Sequence, residues 1–235
     1  MTKSYLAVDL ETTGLDPKTD KIIEIGAVRV FDGKVSGVYE TFVNPYRKLE
    51  ERVISLTGIS DSQLENAPGI QDVIGPFLEF AEGLPLLGHH VIFDYSFLKR
   101  AAVNRGCGFE RQGIDTLKLA RKFMPPDEKK NLKAACEFFG IKTYLSHRAL
   151  ADSRASHGLY QKLGELYGKD VPEVFAPQSL IFKVKKEQPA SKRQKEHLQD
   201  LLKYHKIALT IQTEHLSRNE ISRITDRIIA QYGRI

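Results

Sequence analysis

Runs of apolar residues divide the first part of the chain into predicted strands and helices. Short runs rich in branched side chains predict three strands in the first 45 residues, with Asp32-Gly33 as the hairpin turn between the second and third. After residue 48 the apolar positions take helical spacing, interrupted by short strands near residues 84–88 and 113–116. This order predicts an α/β fold in which helices flank a mixed five-stranded sheet.

The pattern changes at residue 183, where a lysine-rich stretch is typical of a linker. Two short amphipathic helices follow, each opened by a capping box, at Ser191 and at Ser217. We therefore expect a main domain at residues 1–182, a linker at 183–190 and a two-helix region at 191–235. Two such helices make a marginal unit alone, so we expect them to dock on the main domain or to form a small helical hairpin with it.

Charge is distributed unevenly between these regions. Residues 183–235 hold 12 Lys/Arg and 6 Asp/Glu, a net of +6, whereas residues 1–182 hold 23 and 24, a net of −1. A basic appendage on a near-neutral core indicates a polyanionic partner. Charge alone fits a merely solvated tail equally well. We expect the appendage to assist the binding of nucleic acid or of a protein partner.

The composition excludes several classes of protein. A hydrophobic content of 41% and a charged content of 28% are ordinary for a globular domain. No apolar run approaches the ~20 residues that a membrane span needs, and the first residues lack the apolar stretch of a signal peptide. Cys107 and Cys136 lie far apart, so we expect reduced thiols and a cytoplasmic protein.

Two acids, Asp9 and Glu11, stand at the end of the first apolar strand. Carboxylates spaced i,i+2 on a strand point to the same face, where two unpaired charges would repel each other and lose hydration. A divalent cation removes that cost, and Mg²⁺ and Mn²⁺ prefer oxygen ligands. The alternative is a solvated strand end that carries two acids by chance.

Further acids occur in two later segments. Asp94 follows the short strand at 84–88 and opens a helix, where a helix cap is the alternative role. Asp152 follows His147 by five residues, which places the two side chains about 140° apart on a continuous helix. They converge on one site only if His147 lies just outside the helix or in its first turn, which a cap at Ser146 would allow.

Together these segments resemble the DEDDh superfamily of 3′→5′ exonucleases, and in particular the proofreading (epsilon) subunits of bacterial DNA polymerase III and their stand-alone relatives. The motifs D-x-E-T-T-G, F-D-x-x-F-L and H-x-A-x-x-D are met at residues 9–14, 93–98 and 147–152. Three motifs in this order are specific, and the resemblance covers about residues 4–168. It implies a ribonuclease H-like fold. The chain departs from the pattern at His90, where the family often has Asn.

The resemblance implies hydrolysis of a phosphodiester with the help of two Mg²⁺ or Mn²⁺ ions. Asp9 would bridge the ions, Glu11 and Asp152 would complete one of them, and Asp94 would help to hold the other through water. His147 would accept a proton from water near neutral pH. The products would be nucleoside 5′-monophosphates, released from single-stranded or frayed DNA ends.

The resemblance also implies contacts with the substrate. Backbone amides of Thr12 and Thr13 would meet the 3′ end, and the segment Leu56-Thr57-Gly58-Ile59 would pack against the terminal base and sugar. For Leu56 and Ile59, a place in the core is an equal alternative.

A last segment, Gln178-Ser179-Leu180-Ile181-Phe182, resembles the short peptides that dock on bacterial sliding clamps. The alternative, which we favour, is a packed segment that seals the main domain.

Two other functions stay open. The chain could be an exoribonuclease that trims RNA 3′ ends, or a non-catalytic binding module associated with a polymerase or a clamp. The complete set of acids argues against the second. We expect structural roles for Glu24, as a partnered or edge residue, for His89 and His90, and for Asp115 as a helix cap. His157 is expected to lie on the surface.

Overall fold

The computed structural model describes residues 1–143, 147–208 and 210–235. The strands of these residues are β1 (Tyr5–Thr12), β2 (Ile22–Phe31), β3 (Lys34–Phe42), β4 (Leu86–Gly88), β5 (Gln112–Asp115) and β6 (Gln178–Ser179). They form one mixed sheet in the order β3-β2-β1-β4-β5-β6. The first three strands are an antiparallel meander, β4 and β5 run parallel to β1, and β6 is antiparallel to β5.

Helices cover both faces of this sheet. Those of the described residues are α1 (Glu51–Thr57), α2 (Asp61–Leu64), α3 (Ile70–Ala81), α4 (Ile92–Arg105), α5 (Thr116–Phe123), α6 (Leu132–Phe138), α7 (Ala149–Tyr167), α8 (Lys192–Tyr204) and α9 (Arg218–Tyr232). The predicted α/β fold with a mixed sheet is confirmed. The strand count is corrected from five to six because the pair Gln178–Ser179 adds an edge strand.

The alternation of side chains along β1 decides which layer each residue meets. Leu6, Val8 and Leu10 belong to a core shared with α3 and α4. Tyr5 and Ala7 belong to a second core on the other face, shared with α5, α6 and α7. Asp9 and Glu11 continue the second set, so their side chains face α7.

Helix α7 begins directly over β2 because residue 26 is a glycine. A Cβ atom there would lie 2.5 Å from the Cα of Leu150, and closer still to the Leu150 amide nitrogen and the Ala149 carbonyl carbon. Gly26 pairs with Asp9 across the β1–β2 ladder. The close approach therefore brings the first turn of α7 over the acidic end of β1.

The two predicted C-terminal helices are present, each with its capping box formed. Gln194 donates a hydrogen bond to Ser222 near their first turns, and His205 bonds the Gly233 carbonyl near their last turns. The helices therefore run parallel, with the chain between them returning along their length. They enclose a small core of their own, formed by Leu198, Leu201, Leu216, Ile221 and Ile228. The division into a main domain, a linker and a C-terminal region stays a prediction.

The segment at residues 178–182 is attached to the main domain. Gln178 and Ser179 pair with β5, Leu180 covers Gly113, and Phe182 packs against the main core. These contacts favour the sealing role over the clamp peptide. No helix in the described parts of the chain combines the length and the apolar character that crossing a bilayer requires.

Candidate active site

The end of β1 carries the first two acids. Asp9 is half-buried and Glu11 is 8% exposed. Burial, followed by the charges of Asp94, Asp152 and Glu11, raises the pKa of Asp9 well above its usual value. Burial and the charges of Asp152 and Glu24 likewise raise the pKa of Glu11 to about 8. The carboxylates of this cluster thus repel one another at short range. Such repulsion is expected among the ligands of a cation when no cation is bound.

Asp94 lies in the first turn of α4, whose N-cap is Val91, so the alternative of a helix cap is wrong. Its Oδ1 atom accepts a hydrogen bond of 3.1 Å from the Leu10 amide. On this side of β1, strand β4 pairs with Leu6 and Ala7. Leu10 lies beyond the end of that pairing, and its amide donates to the Asp94 carboxylate instead of to a strand. Burial raises the pKa of Asp94 to about 8, although hydrogen bonds from its own amide and from the Leu10 amide oppose the shift.

His147 lies just before α7, and its backbone conformation brings it next to Asp152 although the two residues are five positions apart. Its φ of 63° is left-handed, and its amide donates a hydrogen bond of 2.9 Å to the Asp152 Oδ2 atom. Glu11, His147 and Asp152 each offer a ligand atom, and these atoms lie within 4.8 Å of one another. The condition set by the sequence is therefore met, whereas Ser146 lies outside the described residues.

Glu24 fastens the start of α7 to β2. Its fully buried carboxylate accepts hydrogen bonds from the Arg148 guanidinium, the shortest of 2.7 Å, and one of 2.9 Å from the Ala149 amide. The expected partnered role is confirmed. The sequence did not reveal that the partner is the residue next to His147, so that Glu24 shapes the site without being placed among the predicted ligands.

The structure divides the predicted substrate segment into two parts. The Leu56 side chain is 56% exposed, and Gly58 ends α1 in a left-handed conformation. Thr57 and Ile59 are buried, with Ile59 in the core beneath α1. The Ile59 side chain lies in that core, which is the alternative that the sequence left open. The Thr57 hydroxyl donates to the Val53 carbonyl and accepts from the Ile59 amide. Contact of this segment with substrate stays a prediction.

Thr12 and Thr13 shape the turn that follows β1. The Thr12 hydroxyl donates to the Gly14 carbonyl, and the Thr13 amide donates to the Lys21 carbonyl. The Thr13 hydroxyl also donates to Asp20. Both polar groups of Thr13 are thus engaged inside the loop, and a direct contact of Thr12 or Thr13 with substrate stays a prediction.

Three other histidines, at positions 89, 90 and 157, form hydrogen bonds outside the set of candidate ligands. His89 bonds the Thr116 hydroxyl and the Lys130 carbonyl, and Asp115 caps α5 as expected. His90 has a left-handed φ of 77°, a conformation that Gly adopts routinely and Asn occasionally. His157 is half-buried and bonds the Tyr5 hydroxyl, so its expected surface position is met only in part.

The donor set fits a hard divalent cation. It consists of four carboxylates and one imidazole, without a thiolate, and the pKa of each of the four carboxylates, Asp9, Glu11, Asp94 and Asp152, is raised. Carboxylate oxygens suit Mg²⁺, Ca²⁺ and Mn²⁺. A bound cation would offset the repulsion that raises those pKa values.

Comparison with known proteins agrees with this geometry. The model of the family Exonuclease (RNase_T) matches residues 6–160. The chain is 38% identical over 174 residues to DNA polymerase III PolC-type of Caldanaerobacter subterraneus subsp. tengcongensis, covering 72% of this chain and 12% of that protein. It is 36% identical over 168 residues to the PolC-type polymerase of Thermotoga maritima, covering 71% and 12%. The chain thus spans about an eighth of the length of these relatives.

Solved structures share the fold. Exonuclease X in complex with 5′ overhanging duplex DNA superposes with a TM-score of 0.55 at 24% identity, covering 73% of this chain and 97% of that one. E. coli Exonuclease I in complex with a dT13 oligonucleotide gives a TM-score of 0.62 at 17% identity, covering 74% and 43%. Both alignments leave about a quarter of this chain uncovered.

Proposed function

Because the chain belongs to the Exonuclease family, we propose that it is a metal-dependent 3′→5′ exonuclease that releases nucleoside 5′-monophosphates from single-stranded or frayed DNA ends. The observation that carries the proposal is the convergence of acids from three separate segments. The charges of Asp94 and Asp152 both act on Asp9, and His147 and Asp152 lie against Glu11. A structural role alone gives no reason to gather four repelling carboxylates in one cleft.

The carboxylates of Asp9, Glu11, Asp94 and Asp152 would hold the cations, for which Mg²⁺ and Mn²⁺ are the best candidates. Two such ions, when bound, stabilise the charge on the attacking and leaving oxygens of a phosphodiester. The protein fixes the ligands beforehand. Glu24 and Gly26 seat the first turn of α7, and the Leu10 amide orients Asp94.

His147 would act as the general base. Its exposed side chain stands at the mouth of the site, within reach of Glu11 and Asp152. There it can take a proton from a water molecule positioned for attack on the last phosphodiester. The hydrogen bond from its amide to Asp152 holds the loop, and therefore the ring, next to the acids.

The DNA substrate rests on relatives. The two relatives described above are DNA polymerases, and both structures described above contain DNA. End-labelled DNA and RNA oligonucleotides of matched sequence test this choice. We expect the DNA to shorten from its 3′ end with release of mononucleotides. Faster shortening of the RNA would instead assign the chain to RNA trimming.

Chelation and substitution test the chemistry. EDTA, or Asp9→Ala, should abolish release of mononucleotides, because either change removes the cations or a ligand. Asp115→Asn is the matched control, since this nearby carboxylate caps α5, and it should retain activity. Full activity in EDTA or in Asp9→Ala would refute the proposal, and an inactive but folded wild-type protein would favour a non-catalytic binding module.

The histidine is tested separately. His147→Ala should slow hydrolysis strongly while the protein still binds Mn²⁺, because the carboxylates remain. An unchanged rate near pH 7 would remove His147 as the base. Docking on a sliding clamp through Gln178–Phe182 and a cytoplasmic location stay predictions of the sequence.

A further inference from the structure

A buried glutamate joins the C-terminal helices to the main domain. The Glu220 side chain is only 7% exposed, and its Oε1 atom lies 2.7 Å from the Lys21 ammonium and 3.4 Å from the Arg47 guanidinium. The other carboxylate oxygen accepts hydrogen bonds from the amide and hydroxyl of Ser217 in the capping box. One side chain thus holds the first turn of α9 and two cations of the main domain together.

Both cations belong to, or support, the loop that connects β1 to β2, which we call the β1–β2 loop (residues 13–21). Lys21 closes this loop, because its carbonyl accepts from the Thr13 amide and its amide donates to the Thr13 hydroxyl. Arg47 donates a hydrogen bond of 3.1 Å to the Thr19 carbonyl. A second tether from α9 reaches the same loop, since Arg223 donates to the Lys18 carbonyl over 3.2 Å.

The β1–β2 loop begins two residues after Glu11 and lies at the rim of the acidic site. Its residue Leu15, four residues after Glu11, is 84% exposed, so the loop presents an apolar side chain to solvent near the acidic end of β1. The position of this loop relative to the acids therefore affects how a nucleotide is held.

We propose that Glu220 is a positioning residue, through which the C-terminal helices hold the β1–β2 loop in the conformation that receives the 3′ end. The inference rests on the proposed function, because it concerns the substrate of the same site. It assigns the C-terminal region a role in the reaction that does not require it to touch nucleic acid. Glu220 acts on substrate through Lys21 and the loop.

The direction in which Glu220→Gln changes KM distinguishes this role from two others. If the C-terminal helices attracted nucleic acid only by their charge, Glu220→Gln would remove a negative charge and lower KM. If Glu220 served stability alone, the variant would lower Tm and leave KM unchanged well below Tm. Positioning of the loop predicts a raised KM, because the loop loses its anchor while the acids and His147 stay in place.

Glu187 offers a matched control. Its side chain is 12% exposed and pairs with Arg100 on α4, while Asn104 of the same helix bonds it as well. It also accepts a hydrogen bond of 3.4 Å from the Ser217 hydroxyl, so it shares the N-cap of α9 with Glu220. In the described residues none of its hydrogen bonds or ion pairs reaches the β1–β2 loop. Glu187→Gln makes the same chemical change at a similar depth, and we expect it to lower Tm without raising KM.

The experiment measures KM, kcat and Tm for both variants on a single-stranded DNA of about twenty nucleotides, at a temperature well below every Tm. We expect Glu220→Gln to raise KM about tenfold, a loss comparable to one strong contact, with kcat within twofold of the wild type. Lys21→Met should have the same effect, and the double variant should be no worse than either single one. A KM for Glu220→Gln equal to or below that of Glu187→Gln overturns the inference.

Hydrogen exchange of the loop amides tests the role of Glu220 independently of the proposed exonuclease activity. The amides of Thr19 and Asp20 donate to the Asp16 carbonyl inside the loop, and Glu220→Gln should accelerate their exchange whereas Glu187→Gln should not. A wild-type protein that hydrolyses no nucleic acid defeats the proposed function alone. Unchanged exchange at these amides defeats the inference, whatever the activity.

Discussion

Adding one methyl group at Gly26 should displace helix α7 from its position over the acidic end of β1. The ideal Cβ would lie 2.5 Å from the Leu150 Cα, whereas ordinary contact begins near 3.4 Å. The Leu150 amide nitrogen and the Ala149 carbonyl carbon would be closer still. The first turn of α7 must therefore withdraw by more than about 1 Å, since these backbone atoms cannot rotate away. Asp152 and His147 move with it, while Asp9 stays on β1.

Two magnitudes follow from this displacement. Forcing a methyl group into a packed interface costs about 1–3 kcal/mol, which for a chain of this length lowers Tm by roughly 5 °C. A misplacement of about 1 Å at a catalytic group can cost on the order of 100-fold in rate. We therefore expect Gly26→Ala to remain folded at 25 °C but to lose about two orders of magnitude in kcat.

The assay is release of mononucleotides from single-stranded DNA, with Tm measured on the same samples. Gly108→Ala is the matched control, because a Cβ at that exposed glycine meets nothing within 4 Å and its backbone is not left-handed. It should keep wild-type activity. If Gly26→Ala kept both its Tm and its kcat, the claim that this glycine seats α7 over the acids would be refuted.

Three further predictions concern charge and docking. In the metal-free protein the pKa of Glu11 and of Asp94, about 8 each, lies above the pKa that the same carboxyl groups have in the unfolded chain. The free energy of unfolding should therefore fall as pH rises from about 5 to 8, and Mg²⁺ should raise Tm more at pH 8 than at pH 6; an equal gain would contradict this reasoning. Glu24→Gln should cost about 2 kcal/mol in urea unfolding, because it leaves the Arg148 guanidinium, a third exposed, with only the more distant carboxylate of Glu40 at 3.8 Å; stability within error of the wild type would count against it. If residues 178–182 bind a sliding clamp, pull-down of the clamp should be lost when Gln178 and Phe182 are both changed to Ala, and equal capture would reject that peptide.

The sequence predicted the sheet because alternation and β-branched runs are local signals. It predicted the helices because apolar residues at helical spacing are a local signal as well. It missed β6, since the two residues of Gln178–Ser179 are too short to show a period. It also left the relative direction of the two C-terminal helices open, because no local pattern distinguishes a parallel pair from an antiparallel one.

The candidate ligands were predictable because each stands in a motif, but their geometry was not. The orientation of His147 depends on a left-handed φ, which non-glycine residues adopt in only a few per cent of cases. Likewise, nothing in the spacing of Leu56 and Ile59 shows which of them is buried. That outcome is decided by the core beneath α1, to which Ile59 contributes.

The largest gap between sequence and structure concerns β2, which carries none of the predicted ligands. Glu24 pairs with Glu11 and Gly26 with Asp9 across the ladder, so both lie beside the acids on the face that α7 covers. Glu24 contributes a fully buried charge that pairs with the start of α7. Gly26 leaves the space that the same helix fills. The role of each residue therefore depends on the position of α7. An acid and a glycine inside an apolar strand have bland explanations when they are seen alone, as an edge residue or a bulge. The register with β1 turns them into the seat of the helix that completes the site.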